Sequence, residues 1–571
     1  MRNPQPYWGA AAKEDRVKAG FKTIWHQQRL LLIASVLLGL QPLQAGTWTA
    51  LSHTAPEGIG TVLLLSDGTV MAQGGWGGAS ANWYRLTPAN GSYANGTWST
   101  LASMHDSRLY YSSQVLKDGR VFVAGGEYGS ATNVTTAEVY DPQSNTWTLT
   151  PASGQSFLDS TSEILPDGTV LIAPVIPSVY GGTVIYDPVS NTWLAGPNLY
   201  RGYDQDEASW VKLSDNSILA IDPFGTNTER YISSLNAWVD DAKVPVSLYD
   251  SYGFELGAGI LLASGQAFYL GSTGHTAIYT PSGTASPGSW VAGPDIPNGQ
   301  GTPDAPAAMM VDGKILCAVS PAPTAADHYP TPVSFYEYDP VSNAFTRVNG
   351  PTGLTYPGSA FYGRMLDLPD GSVLFSAYSS QLYLYQPSGF PLPEGKPTIV
   401  SLNSNGDGSY HLTGTLFNGI SEGAAYGDDA QMNSNYPIVR MVDANGNVYY
   451  ARTFNWSSTG VMTGNTLVST ELTLPNGLAS GAYALSVIAN GNSSEPITFL
   501  TADALGIGLL PSSQILLSWP TNTPGVLLET TTDLVAGVWS PVTDTVVVVG
   551  SSFVVTNSAS ATARFFRLHS H

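Results

Sequence analysis

The chain has 571 residues and a formal net charge of −21, with only 11% of its residues charged. This acidic balance disfavours binding to nucleic acid or to anionic membranes, because both carry negative charge. Sixty glycines and 39 prolines, without a long apolar stripe of helical period after residue 45, indicate an all-β protein rich in turns. The length exceeds what one hydrophobic core normally holds, so we expect several domains.

The first 45 residues are typical of a secretory signal peptide. A basic region ends at Arg29, an apolar run follows over residues 30–40, and Ala45 is the last residue before the predicted cleavage point. This run is too short to span a bilayer as a helix. The sequence therefore predicts an exported protein that is secreted, periplasmic or at the cell surface, with no membrane span after signal removal. The length of the basic region leaves an uncleaved anchor as the alternative.

One sequence pattern occurs seven times after residue 50: an apolar stretch, a two-residue turn such as Asp-Gly, and a second apolar stretch. The turns lie at Asp67, Asp118, Asp167, Asp215, Ser264, Asp312 and Asp370, at spacings of 48 to 58 residues. Two hydrophobic runs around such a turn predict a hairpin, and a period of this size predicts one four-stranded sheet per repeat. Seven such sheets predict a seven-bladed β-propeller.

The two ends of the repeat region predict how the propeller closes. The seventh repeat lacks an outer strand with a tryptophan, whereas residues 46–51, GTWTAL, resemble the outer strand NTWTLT of another repeat. We therefore expect strand 46–51 to complete the last blade of a propeller over residues 46–390. Alternating strands over residues 397–500 are typical of an immunoglobulin-like β-sandwich. Residues 505–571 predict a small β-rich C-terminal module, which we interpret as an attachment or spacer module.

The chain has one cysteine, Cys317, so no internal disulfide bond can form and stability must come from packing. Cys317 lies in an apolar strand of the sixth repeat. This context predicts a buried structural thiol.

Two segments of the chain resemble one known family. Residues 107–126, SRLYYSSQVLKDGRVFVAGG, are similar to the stretch that holds the redox tyrosine of the galactose oxidase and glyoxal oxidase group. Residues 412–431, LTGTLFNGISEGAAYGDDAQ, are similar to the start of the C-terminal domain of those enzymes. The repeats themselves resemble kelch repeats. The resemblance covers residues 46 to about 500 and implies a propeller with a site on its axis.

The copper-radical chemistry of that family needs a tyrosine ligand, a cysteine cross-linked to it, a Tyr-His pair and a second histidine from the C-terminal domain. On this resemblance, Tyr110 matches the redox tyrosine. The other residues are expected at Gly60 or Thr61, at Phe361 and Tyr362, and within residues 452–456. None of these positions holds a cysteine or a histidine. We therefore assign no catalytic residue with confidence, and we expect no copper.

The register of the repeats also predicts which side chains face the propeller mouth. Carboxylates, phenols and one phenylalanine stand eight or nine residues before most of the turns. The predicted mouth contains Arg108, Tyr110, Asp159, Asp206, Glu207, Glu255, Asp304, Phe361 and Tyr362, with Arg108 as its only cation. Converging carboxylates must share protons or a cation. The alternative is that these side chains fan outward into water.

Oxygen ligands suit a hard divalent ion better than copper. Asp159, Glu207 and Asp304 therefore form a candidate Ca²⁺ site, although no cofactor is required by the sequence.

These features favour an exported, non-catalytic propeller that binds a carbohydrate or an extracellular protein through its loop face. The alternative is an enzyme, either an oxidase of the galactose or glyoxal oxidase type or another metal-assisted enzyme at the mouth. An oxidase needs two histidines at the mouth, and the sequence places only His105 near it. Fold alone does not decide between the two, since one architecture serves many functions.

Overall fold

The computed structural model describes residues 45–131, 134–203, 205–426, 431–479, 481–501, 505–510, 514–521, 526–535, 537–550, 552–558 and 563–570. Residues Thr47–His571 belong to one compact unit. The predicted signal peptide lies outside the described residues apart from Ala45. Within the described ranges, no helix is long and apolar enough to cross a membrane.

The fold is nearly all β, as the sequence predicts. Three short 3-10 helices interrupt the strands in the described ranges, at Pro297–Gly299, Ala360–Tyr362 and Pro393–Gly395. The strands are short and pair antiparallel with their neighbours, because a turn follows almost every apolar run.

Each of the seven predicted turns joins the first two strands of its own four-stranded antiparallel sheet, and we call these sheets repeat sheets 1 to 7. Their strands, sheet by sheet, are Ile59–Leu64, Val70–Gly74, Trp83–Ala89 and Ser92–Thr100; Ser112–Val115, Val121–Ala124, Ala137–Asp141 and Thr146–Leu149; Ser162–Ile164, Val170–Ile172, Val184–Asp187 and Thr192–Ala195; Trp210–Lys212, Ile218–Ile221, Thr228–Ile232 and Ala237–Asp241; Gly259–Leu261, Ala267–Leu270, Thr276–Thr280 and Ser289–Ala292; Ala307–Met309, Ile315–Pro321, Ser334–Asp339 and Ala344–Val348; and Arg364–Asp367, Val373–Ser376, Tyr383–Gln386 and Thr47–Ala50.

The first strands of repeat sheets 2 to 7 lie side by side in order, and the first strand of repeat sheet 7 contacts that of repeat sheet 1. The fold is therefore propeller-like. Three short pairings add to the repeat sheets. They join Arg108–Leu109 to Tyr128–Gly129, Gln300–Gly301 to repeat sheet 6, and Ala424–Ala425 to the first strand of repeat sheet 6.

Neighbouring repeat sheets pack through buried aromatic side chains. Phe268 of repeat sheet 5 stacks on Tyr338 of repeat sheet 6, with ring centroids 4.0 Å apart. Phe122 of repeat sheet 2 stacks on Tyr186 of repeat sheet 3 at 4.8 Å. Cys317 is buried in the core beside Phe268 and Tyr338, as predicted, and burial raises the pKa of its thiol.

The Asp-Pro-x-Ser-Asn turns between outer strands share one local structure. Their asparagines adopt positive φ angles, which asparagine tolerates better than most residues. In each turn, the tyrosine five residues earlier donates its hydroxyl hydrogen to the asparagine side chain. The pairs are Tyr140–Asn145, Tyr186–Asn191 and Tyr338–Asn343, with O···O distances of 2.9, 2.9 and 2.8 Å.

Repeat sheet 7 combines strands from both ends of the repeat region. Thr47–Ala50 pairs with Tyr383–Gln386, so Trp48 lies opposite Tyr385. The Trp48 ring packs against Phe335, Phe375 and Tyr385, with centroids 4.9 to 5.8 Å apart. Its indole N–H donates to the carbonyl oxygen of Asn349 at 2.6 Å. One tryptophan therefore fastens the N-terminal strand to two repeat sheets.

The strands after residue 397 follow one antiparallel path. Its order is Thr398–Ser404, Ser409–Thr415, Val468–Thr473, Val448–Phe454, Ile438–Asp443, Ala482–Ala489 and Asn492–Ser493, and Ile497–Leu500 also pairs with Ala482–Ala489. Buried side chains such as Leu412, Val439 and Leu485 form its core. The immunoglobulin-like assignment of this region stays a prediction.

The C-terminal residues form two small antiparallel sheets. One contains Gly506–Leu510, Gln514–Pro520, Ser552–Ser558 and Val547–Val549, and the other contains Ser540–Pro541, Val526–Thr531 and Phe565–Ser570. Leu517, Trp519, Leu528 and Val555 form a small core.

A segment that follows strand Ser409–Thr415 packs against the repeat sheets; we call residues 421–426 and 431–436 the inserted segment. Glu422 of this segment accepts from Lys212 Nζ at 3.1 Å, and Lys212 Nζ also lies 2.8 Å from Glu163. Lys212 and Glu163 are both buried, so each charge is stabilised by its partner and not by water. Asp367, which is fully buried, meets the same segment near Ser434.

We predict that Trp48→Ala lowers the free energy of unfolding by about 2 to 3 kcal/mol, because it removes ring contacts to two repeat sheets. Chemical denaturation measures this loss. Trp76→Ala is the matched control, since the Trp76 side chain is 62% exposed and its removal leaves no cavity. Equal effects of the two substitutions would contradict a closing role for Trp48.

We predict that the buried carboxyl group of Asp367 makes the stability of the protein depend on pH. Burial raises the pKa of its carboxyl group to about 8, and the interaction with Ser434 offsets only part of this rise. The folded protein therefore binds a proton that the unfolded chain releases near pH 4, so this contribution to stability is lost as pH rises from about 4 to about 8.

Thermal unfolding at pH 5 and pH 8.5 tests this expectation. Asp367→Asn should gain stability relative to the natural protein at the higher pH. Asp187→Asn is the control, because hydrogen bonds from Ser190 and Val189 lower the pKa of Asp187 and it stays ionised across this range. A constant difference for Asp367→Asn at both pH values would show that the Asp367 carboxyl is ionised throughout.

Candidate functional site

A cavity of about 350 Å³ opens where the first strands of the repeat sheets begin, at the ends away from the hairpin turns. We call it the mouth cavity. Its lining consists of carboxylates, aromatic rings and two small or apolar residues. They are Leu109, Tyr110, Glu127, Tyr128, Asp159, Glu207, Gly253, Glu255, Asp304, Tyr329 and Phe361.

The backbone at this cavity adopts a conformation that is costly for residues with side chains. Tyr110, Glu207 and Asp304 each stand eight residues before their turns and have φ angles of 51°, 60° and 49°. Left-handed backbone costs about 1–2 kcal/mol for such residues. Three repeats thus hold a polar side chain at the same position in the same strained conformation. Strain of this kind concentrates at functional sites.

The carboxylates of the cavity lie close together. One oxygen each from Glu207, Glu255 and Asp304 lies within 4.8 Å of the others, and the same holds for Asp159, Asp206 and Glu207. Burial raises the pKa of Asp206 and raises that of Glu255 to about 7, although contacts with Glu207 and Tyr329 partly lower the latter. No lysine or arginine lines the mouth cavity among the described residues. The cavity therefore favours a ligand that donates hydrogen bonds or carries positive charge.

Aromatic rings form the other part of the wall. Tyr329 packs against Phe361 with centroids 4.9 Å apart, and Tyr110 lies 6.2 Å from Tyr128. Burial raises the pKa of Tyr110 and Tyr329 well above the ordinary value, so both phenols keep their protons at neutral pH. The Tyr329 hydroxyl donates its hydrogen to Glu255. The wall thus offers ring faces and hydroxyl groups together.

Tyr426 connects the mouth cavity to the inserted segment. Its hydroxyl hydrogen-bonds to Asp304 and contacts the carbonyl oxygen of Phe361 at 3.0 Å. The Arg364 guanidinium lies 3.4 Å from the centre of the Tyr426 ring, in a cation–π contact, and donates to the carbonyl oxygens of Phe361 and Gly363. The inserted segment therefore orients one of the cavity carboxylates.

Six of the nine predicted mouth residues line the cavity: Tyr110, Asp159, Glu207, Glu255, Asp304 and Phe361. Asp206 is half-buried and lies beside Asp159 and Glu207. Tyr362 lies outside the lining and packs between the rings of Phe361 and Tyr378, at 4.5 and 5.4 Å.

The prediction for Arg108 is wrong. Its guanidinium is fully buried and donates to Glu138 at 2.9 Å and to the backbone oxygens of Gly125 and Thr136. A charge this deep needs fixed partners, and the backbone register alone does not reveal them. His105, which the sequence places near the mouth, also contacts Glu138, at 2.7 Å.

Four polar or aromatic residues at the cavity are absent from the predicted mouth. Glu127 and Tyr128 follow the Gly-Gly pair after the second strand of repeat sheet 2. This pair marks the end of the strand in the sequence, so it could have indicated that the next residues lie at the cavity. Tyr329 lies in a long connection between two strands of repeat sheet 6, and unusual loop length pointed to it. Tyr426 gave no signal, because its position depends on how the inserted segment packs.

The residues that line the cavity do not match the copper ligands of the galactose oxidase and glyoxal oxidase group. Its described lining offers carboxylates and protonated phenols, with no imidazole or thiol. A Cβ atom at Gly60 would lie 2.8 Å from the Tyr378 ring, so a cysteine has no space there. Arg452 and Trp456 contact the backbone of Asp118 and Lys117, at the end of repeat sheet 2 away from the mouth cavity. Residues 452–456 therefore do not lie where a second histidine ligand would be needed.

Comparison with known proteins agrees with the repeat analysis. Residues 110–152 match the model of the Kelch motif. This segment is similar to a Kelch motif. It comprises the register position Tyr110, the hairpin at Asp118 and the outer strands of repeat sheet 2. No curated protein matches the chain in sequence.

Two solved structures are weakly similar to the chain. One is a "novel fungal alcohol oxidase with catalytic diversity among the AA5 family, in complex with copper", at 14% identity and a TM-score of 0.46, covering 80% of this chain and 99% of its own. The other is a streptogramin B lyase, at 10% identity and a TM-score of 0.43, covering 61% of this chain and 100% of its own. Likenesses this weak carry no argument about function.

We predict that the purified protein, incubated with Cu²⁺ and then desalted, retains far less than one copper per chain, because the cavity lining supplies no nitrogen or sulfur ligand. Elemental analysis measures the retained metal. Tyr110→Phe should leave the copper content unchanged. One tightly held copper per chain that disappears in Tyr110→Phe would overturn this reading of the cavity.

Proposed function

We propose that the protein is exported and binds a small carbohydrate in the mouth cavity without transforming it. The observation that carries this proposal is the composition of the cavity wall, which combines aromatic rings with carboxylates, three of them buried. Sugars match such a wall, because their hydroxyl groups donate hydrogen bonds and their C–H faces pack on aromatic rings.

The carboxylates are oriented for this task before any ligand arrives. Tyr329 donates to Glu255 and Tyr426 donates to Asp304, so each acid has one oxygen fixed by a neighbouring phenol. An ionised carboxylate has acceptor positions on both oxygens, and hydrogen bonds to ionised groups are the strong ones. Preorganised acceptors raise affinity because little side-chain entropy is lost on binding.

The size of the cavity favours a small ligand over a protein partner. About 350 Å³ lies at the lower end of the range for small-molecule sites, whereas stable protein interfaces bury roughly 800 Å² on each partner. A longer glycan can extend outward past Tyr128, whose side chain is 52% exposed at the rim.

Export is supported by the basic and apolar pattern of residues 1–45, which is typical of a segment that directs a chain across a membrane.

We predict that a glycan-binding screen identifies a ligand whose affinity falls about tenfold in Tyr128→Ala, because one exposed ring contact is worth at most about 1.5 kcal/mol. Calorimetry with that ligand measures the change. Tyr180→Ala is the matched control, since Tyr180 is 76% exposed and lies outside the cavity lining.

Asp159→Asn should weaken the same ligand further, because it replaces a buried acceptor with a group that also donates. Binding that survives both substitutions unchanged would place the carbohydrate site elsewhere on the protein.

A further inference from the structure

We propose that the mouth cavity holds one Ca²⁺ ion through Glu207, Glu255 and Asp304, and that hydroxyl groups of the bound sugar complete its coordination. The ion site stands on its own geometry, whereas its role in ligand binding rests on the proposed function.

The spacing of the three carboxylates suits calcium. One oxygen from each lies within 4.8 Å of the others. Calcium binds oxygen at about 2.3–2.6 Å, so oxygens on opposite sides of one ion lie about 5 Å apart. A single ion among these three residues therefore reaches all of them. Magnesium binds at about 2.0–2.1 Å and demands a stricter octahedron, which a wide group of carboxylates on three different repeats supplies less well.

A second observation comes from Glu255, which is only 4% exposed and lines the cavity. Its Oε1 atom accepts from Tyr329, but its Oε2 atom is buried and receives no hydrogen bond within the described part of the chain. The neighbouring group is the Glu207 carboxyl, which interacts with Glu255, and when both groups are ionised neither donates a hydrogen bond to the other. A buried oxygen without a donor is costly, and a cation removes that cost.

The surroundings contain what a calcium site requires beyond its direct ligands. Tyr329 and Tyr426 each donate to one of the ligating carboxylates, and such contacts fix ligands in place. The other acidic group contains Asp159 and Asp206, whose carboxyl groups interact with each other as those of Glu207 and Glu255 do. Glu207 belongs to both groups and is the residue on which the proposed ion depends most.

Three protein carboxylates leave a calcium ion short of the six to eight oxygens that it binds. The open side faces the cavity, where water or two neighbouring sugar hydroxyls complete the shell. This geometry selects ligands with vicinal hydroxyl groups, so deoxygenated or fully methylated sugars are expected to bind poorly in the presence of calcium.

The test uses the full mature chain, stripped with EDTA and desalted. Titration with CaCl₂ alone is expected to show one site with a Kd between roughly 10⁻³ and 10⁻⁶ M. Tb³⁺, a calcium substitute, is expected to luminesce on excitation of tyrosine, because Tyr110 and Tyr329 line the same cavity. Calcium should also raise the unfolding temperature, since it binds only the folded protein.

Glu207→Gln and Asp304→Asn are each expected to weaken calcium binding at least tenfold. Asp295→Asn is the control, because Asp295 is exposed and lies outside the cavity lining. Circular dichroism and the unfolding temperature without metal establish that each variant folds. If Glu207→Gln does not fold, Asp304→Asn and the Tb³⁺ signal carry the test.

Three results would overturn the inference: no calcium binding up to about 10 mM, calcium binding that both cavity variants leave unchanged, or preference for Mg²⁺ over Ca²⁺. The glycan screen separates this inference from the proposed function. Calcium bound without any glycan ligand refutes the carbohydrate proposal and supports the ion site. A glycan bound equally well with calcium and with EDTA refutes the role of the ion in ligand binding and supports the carbohydrate proposal, and the CaCl₂ titration then decides the ion site.

Discussion

The structure depends on the packing of one small sheet against the next. A four-stranded sheet has two faces, and each repeat has too few residues to cover both of its own. The stacked aromatic pairs Phe268–Tyr338 and Phe122–Tyr186 show the result, since each ring of a pair belongs to a different repeat. Because every sheet needs two neighbours, the arrangement brings the first strands together, and the residues that precede those strands face one another.

This constraint explains why the acidic residues converge. Tyr110, Glu207 and Asp304 lie about 100 residues apart in the chain, yet they occupy the same position in their repeats. Packing of the repeats leaves these positions no other direction, and the strain of their positive φ angles is offset by the surrounding sheets. A cluster of negative charge that no short segment would tolerate is thereby held together by apolar packing.

Much of the fold was predictable because the turns recur in the sequence at nearly constant spacing. Each Asp-Gly-type turn lies between the first two strands of a sheet, and the positions eight and nine residues before the turns include six of the cavity residues. The failures have physical causes. Arg108 faces the wrong way because its partner Glu138 lies 30 residues away on another strand. Tyr426 was missed because long-range packing of the inserted segment, and no local pattern, places it beneath Asp304.

The pairing of Thr47–Ala50 with Tyr383–Gln386 has a consequence for how the chain folds. The partner strand is made only after all the other repeats, so the first strand to be synthesised waits the longest for its neighbour. Until then, repeat sheets 1 and 7 both expose edges and aromatic faces to solvent. Repeat sheet 7 therefore cannot close before the whole repeat region has been made, and until then its unpaired edge can pair with other chains.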